Sequence, residues 1–205
     1  AEEALVAGTT AEYEVVYVDL SGNYNPAYGK FKVTVNKLAS SIAVESAFGG
    51  SATTEYTQVY NGSAFVISAN ASHSEAEVVY TVNGAVVSEI SLTNAGTYEI
   101  AITLAETAHY LASSWTKTVV INQARATYTL PVWAPGVDSI MSDLALPVVN
   151  ETLNGGYSWI WKDLEGNLID LTQKVGGPAE DVAYLLHFVS NDANYESFDV
   201  KVTIT

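Results

Sequence analysis

The chain has 205 residues, 23 acidic and 8 basic side chains, a formal net charge of −15 and 48% apolar residues. The apolar fraction excludes a disordered chain. Zero cysteine excludes disulfides, thiolate metal sites and cysteine nucleophiles, and the acidic balance excludes the clustered Lys and Arg that nucleic acid requires.

At roughly 100–150 residues per domain the chain holds one or two whole domains. No apolar run approaches the roughly 20 residues of a membrane span, so no membrane insertion is expected. The chain opens on Ala1 with no charged segment followed by an apolar one, so it reads as an excerpt of a larger protein without a targeting signal.

Taken in chain order, the elements are strands. In Tyr13-Glu14-Val15-Val16-Tyr17-Val18-Asp19, residues 13, 15 and 17 share a face. Phe31, Val33 and Val35 do the same in the next strand, against Lys32, Thr34 and Asn36. This period of two, with β-branched and aromatic residues, predicts half-buried antiparallel strands. Further strands are predicted over 41–45, 62–70, 77–82, 85–92, from Gly96 onward, over 115–122 and over 127–132. Asn83-Gly84 predicts a tight hairpin, because both positions tolerate positive φ. Over 136–145 the apolar positions fit helical spacing and predict a short helix or helical loop. A strand over 155–162 places Tyr157, Trp159 and Trp161 on one face.

The chain also repeats itself. Segments beginning at Tyr13, Tyr98 and Tyr184 each read as a strand, a polar loop with a tyrosine, and a second strand. The loop tyrosines Tyr24, Tyr110 and Tyr195 lie 86 and 85 residues apart. A unit of about 85 residues suits a seven-stranded sandwich. The phase predicts three segments: residues 1–37 as the last third of a unit, 38–123 as a complete unit, and 124–205 as a complete but divergent one. A lone hairpin is marginal in water, so residues 1–37 are expected to be completed by preceding residues or by strands found elsewhere. The junctions lack Gly or Pro runs, which predicts short linkers and an elongated array.

Two habits of the immunoglobulin fold are present. Trp159 and Trp161 occupy the third strand of the last unit, and Tyr13, Tyr98 and Tyr184 occupy the corner before the sixth strand. The fold class expected is all-β, as tandem immunoglobulin-like antiparallel β-sandwiches.

The string Val59-Tyr60-Asn61-Gly62-Ser63-Ala64, then residues 79–84, 95–100, His109-Tyr110 and 118–121, resembles the "MBG" type of bacterial immunoglobulin-like repeat. Asn23-Tyr24 and Asn194-Tyr195 fit that pattern more closely than His109-Tyr110. The resemblance covers the middle unit fully and the last unit mainly in its final thirty residues. It implies an extracellular, cell-surface or cell-wall protein acting as stalk, spacer or adhesive array, with neighbouring repeats of the same chain or fibre as partners. It carries no catalytic residues across, and no enzyme activity is expected.

Candidate chemistry is sparse. His73, His109 and His187 show no metal-ligand spacing. Gly49-Gly50-Ser51 and Gly62-Ser63 lack the strained turn of a serine nucleophile. The carboxylate pairs Glu75/Glu77, Asp163/Glu165 and Glu180/Asp181 read as strand and turn residues rather than an acid–base pair. Calcium is the cofactor candidate, through hard oxygens of Asp19, Asn23, Asp192 and Asn194, although the EF-hand pattern is absent and the middle unit replaces them with Glu106, Thr107 and Ala108. An internal Lys–Asn crosslink is disfavoured, since the first strands contain neither residue. Three Asn-x-Ser/Thr sequons begin at Asn61, Asn70 and Asn150. Trp133, between Pro131 and Pro135, is the ligand-binding candidate, for a host or matrix glycan or protein.

Overall fold

The computed structural model describes residues 4–46, 55–175 and 182–204. The chain divides into two compact units. Unit 1 comprises Ala1–Tyr56, Ala64–Leu92 and Tyr98–Val119; unit 2 comprises Thr57–Ser63, Thr93–Thr97 and Val120–Thr205. The described residues are almost all strand and connection, with no α-helix.

Unit 1 opens on a hairpin of β1 (Thr9–Tyr17) and β2 (Ala27–Val35), paired from Thr9↔Val35 to Tyr17↔Ala27. After β3 (Leu38–Ala39) come β4 (Ser41–Ser46), β5 (Glu55–Val59), β6 (Phe65–Ser72), β7 (Val79–Val82), β8 (Ala85–Val87), β9 (Ile90–Leu92), β10 (Gly96–Leu104), β11 (Tyr110–Leu111) and β12 (Ser113–Asn122). Two larger sheets result, one in the order β5-β12-β10-β7-β8 and one in the order β4-β6-β9. They meet where Tyr56 stacks on Phe65 at 5.5 Å and where the Tyr80 hydroxyl reaches the backbone of Ala69. Their buried residues include Phe65, Ile67, Ile90 and Leu92 on one sheet and Ile100, Ile102, Leu104, Val119 and Ile121 on the other.

The Asn83-Gly84 turn forms as its residue types require. Both residues have positive φ, 50° and 79°, and Val82 pairs with Ala85 across it. The expected single strand over 85–92 is two strands in different sheets. Val87 and Ile90 both turn inward but lie an odd number of residues apart, so one flat strand would put them on opposite faces. The chain changes sheet at Ser88-Glu89 instead.

Unit 2 continues with β13 (Tyr128–Thr129), a 3₁₀ turn at Met141–Asp143, β14 (Val148–Val149), β15 (Tyr157–Lys162), β16 (Val182–Ser190) and β17 (Phe198–Ile204). The last three form one antiparallel sheet in that order. Trp159 pairs with Phe188 and Trp161 with Leu186. Trp159, Trp161, Leu186, Phe188, Val200, Val202, Met141 and Val175 lie in a single core. Phe188 sits at its centre, 5.1 Å from Trp159 and 4.9 Å from Phe198, ring to ring.

Two expectations fail locally here. The helix over 136–145 reduces to one 3₁₀ turn, because the N–H groups of Met141 and Ser142 donate to the carbonyls of Gln173 and Leu171, outside any helix. The strand over 127–132 reduces to Tyr128–Thr129. Pro131 has no N–H to extend the ladder, and the Thr127 N–H is held by the Glu151 carboxylate.

Candidate functional site

Three loops carry the same local device in three chemical versions. In the β1–β2 loop the Asp19 carboxylate accepts the N–H groups of Ser21, Asn23 and Tyr24 and the Ser21 hydroxyl. These bonds, led by the Ser21 side chain, pull its pKa down to about 2. In the middle loop Thr107 takes the role: its hydroxyl accepts the Tyr110 N–H. In the last loop, between β16 and β17, Asp192 Oδ1 accepts the Asn194 N–H at 2.9 Å and Oδ2 accepts the Asn154 N–H at 2.9 Å. A short polar side chain that turns back on the backbone is what pins such a loop.

Asp192 and Asn194 are nevertheless set apart from Asp19 and Asn23. They are 6% and 7% exposed, whereas the first loop lies on the surface. Asn194 Oδ1 accepts the Ala95 N–H at 2.7 Å, and its Nδ2 faces Asn94 Oδ1 at 3.4 Å. Tyr195 stands edge-on to Tyr60 at 5.5 Å, and burial raises the pKa of its hydroxyl. The four calcium candidates therefore fall into two separate loops, and their carboxylate oxygens are engaged by backbone N–H groups. Among the described residues no cluster of three His, Asp or Glu could hold a metal.

The same closure occurs at two places in the chain. Leu38 pairs in parallel with Tyr110, and its N–H donates to the His109 carbonyl at 3.0 Å. Ala124 bridges Tyr195 in parallel, and its N–H donates to the Asn194 carbonyl at 2.8 Å. The preceding side chain adds a second fastening in each case. Lys37 Nζ reaches the Thr107 carbonyl at 2.8 Å, and Gln123 Nε2 reaches the Ala193 carbonyl at 2.9 Å. Lys37 and Gln123 lie at the two segment boundaries that the sequence predicts. Their shared phase was the signal for a shared contact.

Trp133 is half-buried. Its Nε1 donates to the Ala145 carbonyl at 2.8 Å, and its ring stands edge-on to Trp161 at 5.9 Å. Near this pair opens a cleft of about 390 Å³, lined by Met141, Ser142, Leu144, Leu146, Trp159, Ile160, Trp161, Leu168, Ile169 and Leu171. Ser142 supplies its only hydroxyl.

The marker aromatics divide by exposure. Trp159, Trp161 and Tyr184 are core residues, Tyr184 edge-on to Trp161 at 5.9 Å. Tyr98 is half-buried in β10, and Tyr13 stacks on Phe31 across the hairpin at 5.5 Å.

The remaining polar groups find local partners. Glu75 binds His109 Nδ1 at 2.7 Å, and its hydrogen bonds to His109 and Thr107 hold its carboxyl below the ordinary value. His187 Nδ1 lies 2.7 Å from Asp199. Asn167 lowers Asp163 in the same way. Among the sequons, Asn61 Oδ1 accepts the Ser63 N–H, Asn70 donates to Glu45, and Asn150 bonds Thr127 and Thr129. Gly49-Gly50-Ser51 and Glu180/Asp181 lie outside the described residues. Lys117 faces inward on β12, with its ammonium 5.9 Å from the Trp115 ring.

No protein-family model and no curated protein matches the chain. None of the described helical segments is long and apolar enough to cross a membrane.

Proposed function

We propose that the chain is a run of tandem immunoglobulin-like β-sandwiches of the MBG type, serving as an elongated stalk, spacer or adhesive segment of an extracellular surface protein. The observation that carries this reading is the closure found twice, Leu38 on Tyr110 and Ala124 on Tyr195, each about 70 residues ahead of its partner. A chain that fastens each repeat's first residue to that repeat's own last loop builds self-contained modules in series. Such modules transmit load or set distance. The net charge of −15 favours solubility and mutual repulsion of neighbouring chains.

Pulling the 205-residue chain end to end by single-molecule force spectroscopy tests the reading. Two unfolding events are expected, each releasing roughly 30 nm, since about 85 residues extend at ~3.6 Å each. A single event, or a smooth extension, refutes the modular reading.

The cleft of unit 2 favours a second reading, a binding module with its site in residues 124–205. Its lining is almost wholly apolar, which suits a protein side chain better than a glycan, whose hydroxyls need partners. Screening the full chain against matrix proteins and glycans tests it. Binding abolished by Leu168→Lys, a substitution at an exposed lining position, supports this reading; binding indifferent to it refutes the cleft as the site.

A further inference from the structure

The cleft of unit 2 lies against a strand edge. Trp159, Ile160 and Trp161 are consecutive in β15, so their side chains point alternately to its two faces, yet all three line the cleft. One cleft meets both faces of a strand only along its edge. Among the described residues β15 is the outermost strand of its sheet, with β16 on the other side. The Trp161 carbonyl accepts the Ile169 N–H at 3.2 Å on the outer side, beside the Lys162↔Leu168 bridge. By the alternation of an antiparallel ladder, the main-chain N–H and C=O of Trp159 also point outward. Leu168 and Ile169 cover the edge at residues 161 and 162 and leave Trp159 beyond them. Trp159 is 8% exposed, and its buried Nε1 has no hydrogen-bond partner among the described residues.

The rim of the cleft is apolar and acidic. Leu168 and Leu171 are 73% and 48% exposed. Asp143 sits between the lining residues Ser142 and Leu144, and Asp170 between Ile169 and Leu171. The Ser142 N–H donates to the Leu171 carbonyl at 3.0 Å, which brings these two stretches together. Residues 126–175 contain six carboxylates, at 138, 143, 151, 163, 165 and 170, against Lys162 and Lys174 alone. Both lysines are directed elsewhere: Lys162 lies 3.9 Å from Asp199, and Lys174 lies 2.7 Å from Asp138. Among the described residues neither Asp143 nor Asp170 has an ion-pair partner, and Thr172 holds the Asp170 carboxyl below its ordinary pKa.

We infer that this cleft binds an extended segment of another polypeptide, in which an apolar side chain is flanked by lysine or arginine. The inference rests on the binding-module reading of the cleft and names its partner class. Each part of the site selects one part of the ligand. The open edge at Trp159 offers main-chain groups to an extended backbone. The lining of Met141, Leu144 and Leu146 takes the apolar side chain. Asp143 and Asp170 take the flanking cations. A backbone carbonyl of the ligand supplies the acceptor that Trp159 Nε1 lacks. A second copy of this chain is disfavoured as occupant, because its net charge of −15 repels the acidic rim.

The experiment adds to the full chain three capped, labelled peptides: Thr-Lys-Thr-Leu-Thr-Lys-Thr, its twin with glutamine for lysine, and its twin with glutamate. Anisotropy gives the affinities, and NMR follows the Trp159 indole and backbone N–H groups. The lysine peptide is expected to bind about threefold more tightly than the glutamine twin and about tenfold or more above the glutamate twin, with the differences shrinking as salt rises. Asp143→Asn and Asp170→Asn are each expected to weaken the lysine peptide about threefold and to leave the glutamine twin unchanged. Both keep an acceptor oxygen for the Ile140 and Thr172 N–H groups, so the fold is retained. Glu89→Gln, an exposed carboxylate of unit 1, is expected to change nothing, which separates local charge from net charge. Leu168→Lys is expected to weaken the lysine and glutamine peptides alike, about tenfold or more. Absence of binding by the lysine peptide, equal binding of all three, or Trp159 signals that stay unmoved overturns the inference. Dimerisation of the chain abolished by Leu168→Lys also overturns it, in favour of a second copy. Peptide failure alongside a screened glycan or protein whose binding Leu168→Lys abolishes refutes the basic strand alone; indifference of every bound partner to Leu168→Lys refutes the cleft reading beneath it.

Discussion

Replacing Asp192 by alanine removes the acceptor of two backbone N–H groups, those of Asn154 and Asn194, each held at 2.9 Å. A hydrogen bond to a charged acceptor contributes about 1.5–3 kcal/mol net. Asn154 is exposed and its N–H gains water in the variant, whereas Asn194 is buried and its N–H does not. The expected loss is therefore about 3 kcal/mol, between one full bond and two. For a domain of about 100 residues this lowers Tm by roughly 10–20 °C. Asp192→Asn keeps one acceptor oxygen and is expected to lose about half as much. Three of the four tryptophans, 133, 159 and 161, belong to unit 2, so intrinsic fluorescence during urea and thermal unfolding reports the change. A loss below about 1 kcal/mol refutes the capping argument. So does a calcium arm with the wrong outcome. Millimolar calcium is expected to leave the parent's Tm unmoved, and a rise that Asp192→Ala abolishes would make these oxygens metal ligands.

Phe188→Ala, at the fully buried centre of the unit 2 core, is expected to cost about 4 kcal/mol, against less than about 1 kcal/mol for Phe31→Ala on the open hairpin; urea denaturation of the two variants decides it. Gly84→Val forces a β-branched residue to a φ of 79° and is expected to destabilise unit 1 by about 1–2 kcal/mol, with Gly84→Asn tolerated, in the same assay. The Asp19 carboxyl has a folded pKa of about 2 against an ordinary 3.8, so its loop stabilisation is fully present above about pH 4 and disappears as pH falls through about 2. Carboxyl NMR titration checks this, and a midpoint near 3.8 refutes it.

Much of the architecture was legible because period-two patterning and turn chemistry are local signals. Asn83-Gly84 specifies its own turn, and Trp159 and Trp161 specify their inward face by alternation. The errors arose where distant segments compete. Met141 belongs to an apolar pattern of helical spacing, yet its N–H and that of Ser142 go to the carbonyls of Gln173 and Leu171, about thirty residues away in sequence. The loop residues Asp192 and Asn194 were visible as oxygen-rich positions, but nothing local announces that Ala95 and Asn154 supply the protons they bind. Trp133 looked free between two prolines, and the carbonyl that holds it, Ala145, lies beyond any short-range rule.

The two parallel closures have a kinetic consequence. During synthesis the partners Tyr110 and Tyr195 emerge only some 70 residues after Leu38 and Ala124. Neither closure can form until its later partner has left the ribosome, about 4–14 s after the earlier one at ordinary translation rates. During that interval the apolar strands made first, such as β6 and β9, wait without the sheet that covers them. The long separation of contacts makes this a slow-folding topology. Translation speed between residues 38 and 110 then sets how long these unfinished strands stay open to rival partners.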